Sequence, residues 1–434
     1  MNYIDNILFA IILCIGIGYF AMNVKKLVRN IKLGNDVNRK DNPSARWKNM
    51  AMIALGQSKM IKRPIAGFLH IIVYVGFVII NLEVLEIIID GLFGTHRIFS
   101  FLGGFYDFLI GSFEILALLV LVAVIVFWIR RNVIKLKRFM NPEMKGYATN
   151  DGNIILYFEI VLMTLFLVMN ATDTHFQVNH SGNVISQFIA PLFSDFSEST
   201  LHIIERTAWW MHISGILVFL NYLYFSKHLH ILLAFPNTYF ADLNPKGELD
   251  NLESVTNEVK LMMDPTADPY AAPANPDAVP AKFGVSDVQD LNWVQLLNAY
   301  TCTECGRCTS SCPANITGKK LSPRKIMMDT RDRLEEVGKN IDKNKGVFIP
   351  DNKSLLNDYI TAEELWACTS CNACVEECPV NISPLSIIVD MRRYLVMEQS
   401  AAPMPINAMM SNIENNGAPW QYNQQDRLNW KDEN

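Results

Sequence analysis

The chain has 434 residues, enough for two or three domains, and half of them are apolar. Only 19% are charged, and the net charge is −5; soluble domains usually carry roughly 25% charged residues. These values exclude a disordered, collagen-like or small disulfide-stapled protein and give no sign of nucleic-acid binding. Residues 1–235 carry long apolar runs, whereas residues 236–434 are polar and contain eight of the nine cysteines. This division predicts a membrane domain followed by a soluble domain.

Five apolar runs in the first half are each long enough to cross a bilayer, which takes about 20 residues of helix. So many runs in one half are better explained as membrane spans than as core helices. The predicted spans are residues 4–24, 65–89, 107–129, 154–172 and 208–230. The first run has no basic segment before it and no small-residue cleavage site, so we interpret it as a retained anchor.

Basic residues are distributed unequally between the two sides of this predicted bundle. Eleven Lys and Arg lie between the first two spans and six follow the third, whereas the opposite loops contribute Arg97 and Arg206. Basic loops stay on the cytoplasmic side. The distribution therefore predicts a multi-pass protein of the inner (cytoplasmic) membrane, with its N-terminus outside and its cysteine-rich half in the cytoplasm.

Histidines in spans are candidates for function because polar side chains are costly there. His70, in the second span, and His230, at the end of the fifth, lie at similar depth from the cytoplasmic side. They are predicted to ligate an inner haem b; the alternative is an interfacial histidine and a hydrogen-bonded polar group. His212 lies eighteen residues before His230, so on one continuous helix these two share a face and His228 points away. His212 is a candidate ligand of a second, outer haem.

Four glutamates lie in or near the apolar runs: Glu83, Glu86, Glu114 and Glu159. Ionisable groups at such depth often serve protons or quinone. A carboxylate that is hydrogen-bonded inside the bundle is the competing interpretation for each of them.

The polar half contains a duplicated cysteine motif after a predicted linker over residues 236–285, which is rich in Pro and Ala. The motif Cys-x2-Cys-x2-Cys-x3-Cys-Pro occurs at 302–313 and again at 368–379, with a constant offset of 66 residues. This is the spacing of bacterial ferredoxins that bind [4Fe–4S] clusters. It predicts a two-cluster ferredoxin domain over residues 286–400.

The fourth cysteine of each motif is predicted to bind the neighbouring cluster, as in two-cluster ferredoxins. One cluster then takes Cys302, Cys305, Cys308 and Cys378. The other takes Cys368, Cys371, Cys374 and Cys312. Disulfides do not suit the predicted reducing compartment, and zinc sites do not require this repeat.

The apolar spacing predicts helices over residues 322–337, 355–367 and 383–399, which favours an α-helical ferredoxin over the β-hairpin type. No glycine-rich nucleotide loop is visible, so a bound flavin or nicotinamide is not expected. Residues 401–434 are poor in helical pattern but contain large apolar side chains. Because such groups are frequent at interfaces, this tail is a candidate partner-docking segment, with a disordered tail as the alternative.

The membrane half resembles the cytochrome b subunits of the nitrate reductase gamma and heterodisulfide reductase type. The resemblance rests on GFLHIIVYVGF (67–77) and WWMHISG…YFSKHLHI (209–231). The soluble half is similar to the iron–sulfur portion of heterodisulfide reductase-related oxidoreductases, through its two cysteine motifs and NNGAPW…DRLNW (415–430). The whole would be an all-α protein, a five-helix transmembrane bundle followed by a helical two-cluster ferredoxin domain.

The resemblance implies haem b and a quinone, menaquinone in particular, with His70, His212 and His230 at the positions of the family's haem ligands. Ile80 stands where the resemblance implies a second histidine after His70, so His212 has no partner from the second span for an outer haem. A Cys-Cys-Gly-rich catalytic region is also missing and could belong to a partner chain.

We therefore expect the electron-transfer subunit of a quinone-linked oxidoreductase. It would pass electrons from a separate cytoplasmic flavoprotein or Cys-Cys-Gly-type iron–sulfur subunit to membrane quinone. Quinol-driven reduction of a cytoplasmic acceptor such as a disulfide is one alternative. A mainly structural subunit that anchors a larger membrane assembly is another.

Overall fold

A computed structural model describes residues 3–179, 182–266 and 282–432, which form helices with no named β-strand among them. The predicted all-α fold class is confirmed: five long apolar helices come first and a helical half follows. Most of the Pro- and Ala-rich stretch 264–283 lies outside the described residues.

Five helices are long and apolar enough to cross a membrane, and the chain is a membrane protein. They are Tyr3–Ile31, Pro64–Phe93, Gly104–Asn132, Tyr147–Thr172 and Glu198–Phe225; we number them as the first to fifth spans. The second span begins at Pro64, whose fixed φ suits the first helical turn. It ends at Gly94, which takes the left-handed conformation (φ 70°) that glycine adopts without steric cost.

The fifth span ends earlier than the apolar run 208–230 predicted. Its α-helix ends at Tyr222, and Ser226 is extended (φ −116°, ψ 148°) between two short 3-10 turns. The Ser226 hydroxyl accepts a hydrogen bond from the His228 backbone N–H (3.1 Å), and a new helix follows over His230–Tyr239. The predicted face shared by His212 and His230 on one continuous helix is therefore wrong.

The spans form a bundle in which the fourth packs against the third and the fifth, and the second against the third and the first. The first span also packs against the fifth. The core of the bundle is filled by Ile110, Phe113, Phe166 and Ile213, all at most 1% exposed. Apolar side chains on the outside of the spans stay exposed, as a lipid-facing surface requires.

The soluble half is built from short helices around its own apolar core. The predicted helices over 322–337 and 383–399 are observed as Pro323–Lys343 and as Pro384–Arg393 continued by Tyr394–Glu398. The predicted helix over 355–367 is interrupted, because Asn357 takes a positive φ of 76°. Between residues 286 and 400 this half also contains the 3-10 helix Val288–Asp290 and the helices Trp293–Thr301, Arg307–Ser310, Pro313–Ile316, Leu355–Asp358, Ala362–Trp366 and Ala373–Glu377.

Two regions predicted without regular structure contain helices. Glu253–Met263 lies in the predicted linker 236–285, and Met404–Asn416 lies in the tail, where a 3-10 helix, Gln424–Lys431, follows. None of these three helices has a buried residue. They form by local hydrogen bonding and lie on the outside of the protein.

The two halves share one apolar core and a set of buried polar contacts. Leu27, Phe219 and Leu233, from the membrane half, belong to the same buried cluster as the core of the soluble half. Arg324, 0% exposed, bonds the Glu143 carboxylate (2.7 Å) and the Arg138 carbonyl (2.7 Å) of the segment after the third span. The soluble half is thus docked on the span ends that carry the basic loops.

We expect Arg324→Met to destabilise this docking strongly, because it leaves the Glu143 carboxylate buried without its partner. Breaking such a buried pair costs about 3–5 kcal/mol. Lys320→Ala is the matched control, since the Lys320–Glu363 pair is exposed and such pairs contribute about 0–1 kcal/mol. Thermal unfolding of the purified holoprotein in detergent measures both. Equal melting temperatures for the two variants would contradict the assignment.

Candidate redox site

The eight motif cysteines form two groups in space, and each group joins members of both motifs. The first pocket, which we name cluster site one, is lined by Cys302, Cys305, Cys308 and Cys378, and Cys374 also reaches it. The second, cluster site two, is lined by Cys312, Cys368, Cys371 and Cys374. The structure thus brings together the groups that the crossed ferredoxin pattern predicts; the ligand assignment itself stays a prediction.

Within the described residues, no three or more His, Cys, Asp or Glu side chains converge as the ligands of a single ion.

The duplication is visible in the backbone as well as in the sequence. Glu304 and Ser370, which are 66 positions apart, have φ of 53° and 54°, and Gly306 and Asn372 have φ of 71° and 59°. Each motif therefore makes the same left-handed turn between its cysteines. Glycine takes this φ at position 306 without strain, and a Cβ atom there would also lie 2.5 Å from a guanidinium nitrogen of Arg324. Asparagine tolerates the left-handed region at position 372.

Burial changes the protonation of the cysteines. It raises the pKa of the Cys302 thiol and of the Cys374 thiol to about 12. Burial, together with the neighbouring Cys305 and Cys302, also raises the pKa of Cys308. These sulfurs stay protonated at neutral pH unless a metal displaces the proton, because metals bind the thiolate. Cluster assembly here must release protons, and acid must favour cluster loss.

Basic side chains from both halves lie beside cluster site one. Lys59 donates to the Cys378 carbonyl (3.2 Å) and to the Asn381 side chain (2.7 Å), and burial lowers the pKa of Lys59 to about 8. Arg307, inside the first motif, donates to the carbonyls of Lys59 (3.0 Å) and Met60 (3.4 Å). In the sequence, Lys59 was counted only among the basic residues that indicate membrane topology. Its contacts with the second cysteine motif were not predicted. The arginine between two cysteines was the available sign.

A cavity of about 380 Å³ lies where the two halves meet, and we name it the junction cavity. Its lining from the membrane half includes His70, His228 and His230, and its lining from the soluble half includes Thr303, Cys305 and Arg307. A predicted ligand of cluster site one therefore borders the same space as the histidines.

The His70 and His230 rings face each other with their centroids 6.4 Å apart. Two imidazoles bound to one metal at about 2 Å each have centroids about 6 Å apart. The Nδ1 atom of His230 lies 3.1 Å from the Lys227 carbonyl, which leaves Nε2 free. Metal-bound histidines commonly anchor their second nitrogen in this way. The Nδ1 atom of His70 is buried with no partner among the described residues, so this pair fits bis-imidazole ligation.

The other two histidines differ from this pair. His228 is turned to the Phe219 ring (centroids 5.4 Å apart) and packs edge-on to His230; it lines the junction cavity, which the helical periodicity did not predict. His212 is buried, with Nδ1 3.0 Å from the Leu162 carbonyl. The aromatic ring that it contacts is Phe166, and the described residues bring no second histidine to it.

Comparison with known proteins identifies the cysteine region. Residues 301–382 match the family described as "4Fe-4S dicluster domain". The chain is 30% identical over 98% of its length to the "Probable iron-sulfur-binding oxidoreductase FadF" of Bacillus subtilis, and covers 61% of that protein. It is 26% identical over 94% of its length to the "EtfAB:quinone oxidoreductase" of Syntrophomonas wolfei, covering 57%.

A quarter of the chain is 34% identical to one of the subunits of the ferredoxin/F(420)H(2)-dependent CoB-CoM heterodisulfide reductase of Methanosarcina acetivorans, and covers 52% of that subunit. The chain thus spans about 60% of the length of the first two relatives. No solved structure matches it significantly. The soluble half therefore contains a 4Fe–4S dicluster domain similar to part of a heterodisulfide reductase subunit, in a membrane protein.

Replacing Cys305 with Ser should remove the cluster at site one and weaken the one at site two, because both sites share a small fold. Cys14→Ser is the matched control, since Cys14 is exposed on the first span. Iron analysis should give about eight cluster irons per chain for the control, from two four-iron clusters, and half or fewer for Cys305→Ser. Zinc in place of iron in the wild-type protein would contradict the ferredoxin assignment.

Proposed function

We propose that this chain relays electrons between a cytoplasmic redox partner and membrane quinone, through two [4Fe–4S] clusters and one inner haem b. It would be the electron-transfer subunit of a quinone-linked oxidoreductase. The observation that carries the proposal is the junction cavity, because His70, His230 and the site-one cysteine Cys305 all line it. Cluster site two, cluster site one and the His70–His230 pair are therefore proposed to follow one another from the soluble half into the bundle.

When bound, the clusters and the haem supply one-electron chemistry, and the chain supplies their spacing and burial. Each site has two buried cysteines, but Cys371 of site two is exposed, whereas no cysteine of site one is. Site two is therefore proposed as the one that a soluble partner reaches, and site one as the neighbour of the haem. His230 would bind the haem through Nε2, because its Nδ1 contacts the Lys227 carbonyl, and His70 would supply the second imidazole.

The proposed orientation follows from the docking. The soluble half bonds Lys59 and Arg63 before the second span and Arg138 after the third, which are residues of the basic loops. Since basic loops face the cytoplasm, the ferredoxin half is proposed to be cytoplasmic in a bacterial-type inner membrane. Residues 1–235 form the haem-binding part and residues 286–400 the ferredoxin part.

The partner is proposed to be a cytoplasmic flavoprotein. One relative is named for EtfAB and quinone, which supports this chemistry and the quinone at the other end. A Cys-Cys-Gly-type iron–sulfur protein is the second candidate, supported by the heterodisulfide reductase-like domain. Quinol-driven reduction of a cytoplasmic acceptor would use the same path in reverse.

An optical titration of the purified holoprotein tests the function. Dithionite should produce a reduced b-type spectrum with bleaching of the iron–sulfur absorbance, and oxidised menaquinone analogue should reverse both. Quinol should reduce the haem in part if the path runs in both directions. A b-type haem that neither quinone nor quinol affects would leave only the role of a structural anchor.

His70→Ala and His230→Ala should each abolish the inner haem and leave both cubanes intact, because one imidazole cannot hold a bis-imidazole haem. His228→Ala is the matched control: its ring packs on Phe219 and does not face His70 in the same way. A pyridine haemochrome assay with iron–sulfur absorbance measures both cofactors. Loss of haem in His228→Ala with retention in His230→Ala would show that the assigned ligand is on the wrong side of the turn.

The tail is proposed to lie against the partner. Its large apolar side chains stay exposed: Met404 is 82% exposed, Trp420 62% and Trp430 71%. Deleting residues 401–434 should weaken partner binding at least tenfold and leave cofactor content and the reaction of the dithionite-reduced protein with quinone unchanged. Co-purification and binding titration with the native partner measure this; unchanged binding would refute the role of the tail.

A further inference from the structure

The four glutamates of the spans differ in their hydrogen-bond partners and in the cavities that they line. Glu86 accepts hydrogen bonds from the Phe99 N–H (2.9 Å) and the Tyr106 hydroxyl (3.0 Å). Glu114 accepts from the Asn170 side chain (3.0 Å) and from two backbone N–H groups. Both are held as structural groups of the bundle. Glu83 and Glu159 remain.

Glu159 is 9% exposed and lines the junction cavity together with His70 and His230. Its carboxylate has no hydrogen-bond or charge partner among the described residues. Glu83 lines a different cavity, at the opposite end of the bundle, with Asp90 and Arg97. Of these two carboxylates, Glu159 is therefore the one that shares a space with the proposed haem ligands.

The junction cavity is also open to the lipid-facing side of the bundle. Phe77 and Val78 line it and are 43% and 53% exposed on the outside of the second span. Tyr74 and Phe127 add aromatic walls at the same level. A flat, lipophilic ring can therefore reach Glu159 from the bilayer through apolar and aromatic side chains only. This arrangement suits a quinone.

The opposite end of the cavity is polar. Arg131 and Lys227 line it, and Lys227 pairs with Asp151 (3.7 Å). Asp151 and Glu159 are both buried residues of the fourth span. They are eight residues apart, which is about two helical turns, so they lie near the same face of the helix. Charged side chains thus extend from Arg131 and Lys227, which form the polar rim of the cavity, toward Glu159. A proton can pass along them from water at this rim to Glu159.

We propose that Glu159 is the catalytic acid–base residue of quinone reduction in the junction cavity. Quinone reduction takes up two electrons and two protons, and each carbonyl oxygen gains an O–H bond. The relay of the proposed function, on which this inference rests, supplies the electrons. Glu159 donates a proton to one carbonyl oxygen and is reprotonated from water at the Arg131–Lys227 rim, and water at that rim supplies the second proton. In the reverse reaction, the Glu159 carboxylate accepts the proton from quinol.

The experiment is a stopped-flow reaction of the full-length holoprotein in detergent. The protein is reduced with one portion of dithionite and mixed with a short-chain naphthoquinone, while the haem and iron–sulfur bands are followed. Glu159→Gln should slow haem reoxidation by about 10²-fold or more, the scale of general acid catalysis, with unchanged haem and iron content. Glu159→Asp should restore most of the rate. Glu83→Gln is the matched control and should react as the wild type.

The outcomes distinguish the catalytic role of Glu159 from the proposed electron relay to quinone, on which that role rests. Wild-type rates in Glu159→Gln, or a slow reaction in Glu83→Gln alone, would overturn the assignment and leave the quinone relay intact. A wild-type haem band that quinone does not oxidise would overturn the relay and the role of Glu159 together. Loss of haem from both Glu159→Gln and Glu159→Asp would make Glu159 a structural residue and overturn the proposal.

Discussion

Arg307 makes the contact on which the arrangement of the redox ligands depends. Its guanidinium is inserted from the first cysteine motif into the loop before the second span, where it bonds two backbone carbonyls. Arg307 is 4% exposed and lies directly beside Cys308. Together with the contacts of Lys59 and Arg324, this side chain fixes cluster site one against the membrane half. A buried cation is costly unless polar atoms surround it, so the pairing is specific for this docking geometry.

The break at Ser226 serves the same junction. The α-helix of the fifth span ends at Tyr222 and does not continue through residues 223–230. Instead the chain turns, and the second helix, His230–Tyr239, packs against Trp293–Thr301 of the cysteine half. Asn237 of this helix donates to the Val380 carbonyl beside Cys378 (2.7 Å). The turn brings His230 to face His70 and, a few residues later, braces the second cysteine motif.

What could be predicted from the sequence is what depends on spacing and composition. The five spans are visible because a bilayer demands long apolar runs, and the crossed grouping of cysteines is visible because a cubane constrains the motif. The break at Ser226 was missed because apolar residues lie on both sides of the short polar stretch 226–228. Its signal is a serine whose hydroxyl accepts from the N–H two residues later, a local pattern that competes with helix. The contacts of Lys59 and Arg307 depend on tertiary docking: the arginine between two cysteines is visible in the sequence, but its partners in the other half are not.

The walls of the junction cavity come from both halves, and this couples ligand binding to docking. A group that binds only when both walls are in place stabilises the docked state by RT ln(1 + [L]/Kd). The bundle alone supplies His70 and Glu159 but lacks the roof formed by Thr303, Cys305 and Arg307. The soluble half alone supplies the cysteines but leaves Arg307 without the carbonyls that it bonds. Each half thus needs the other to complete a site, so the cofactors that such a site binds also hold the two halves together.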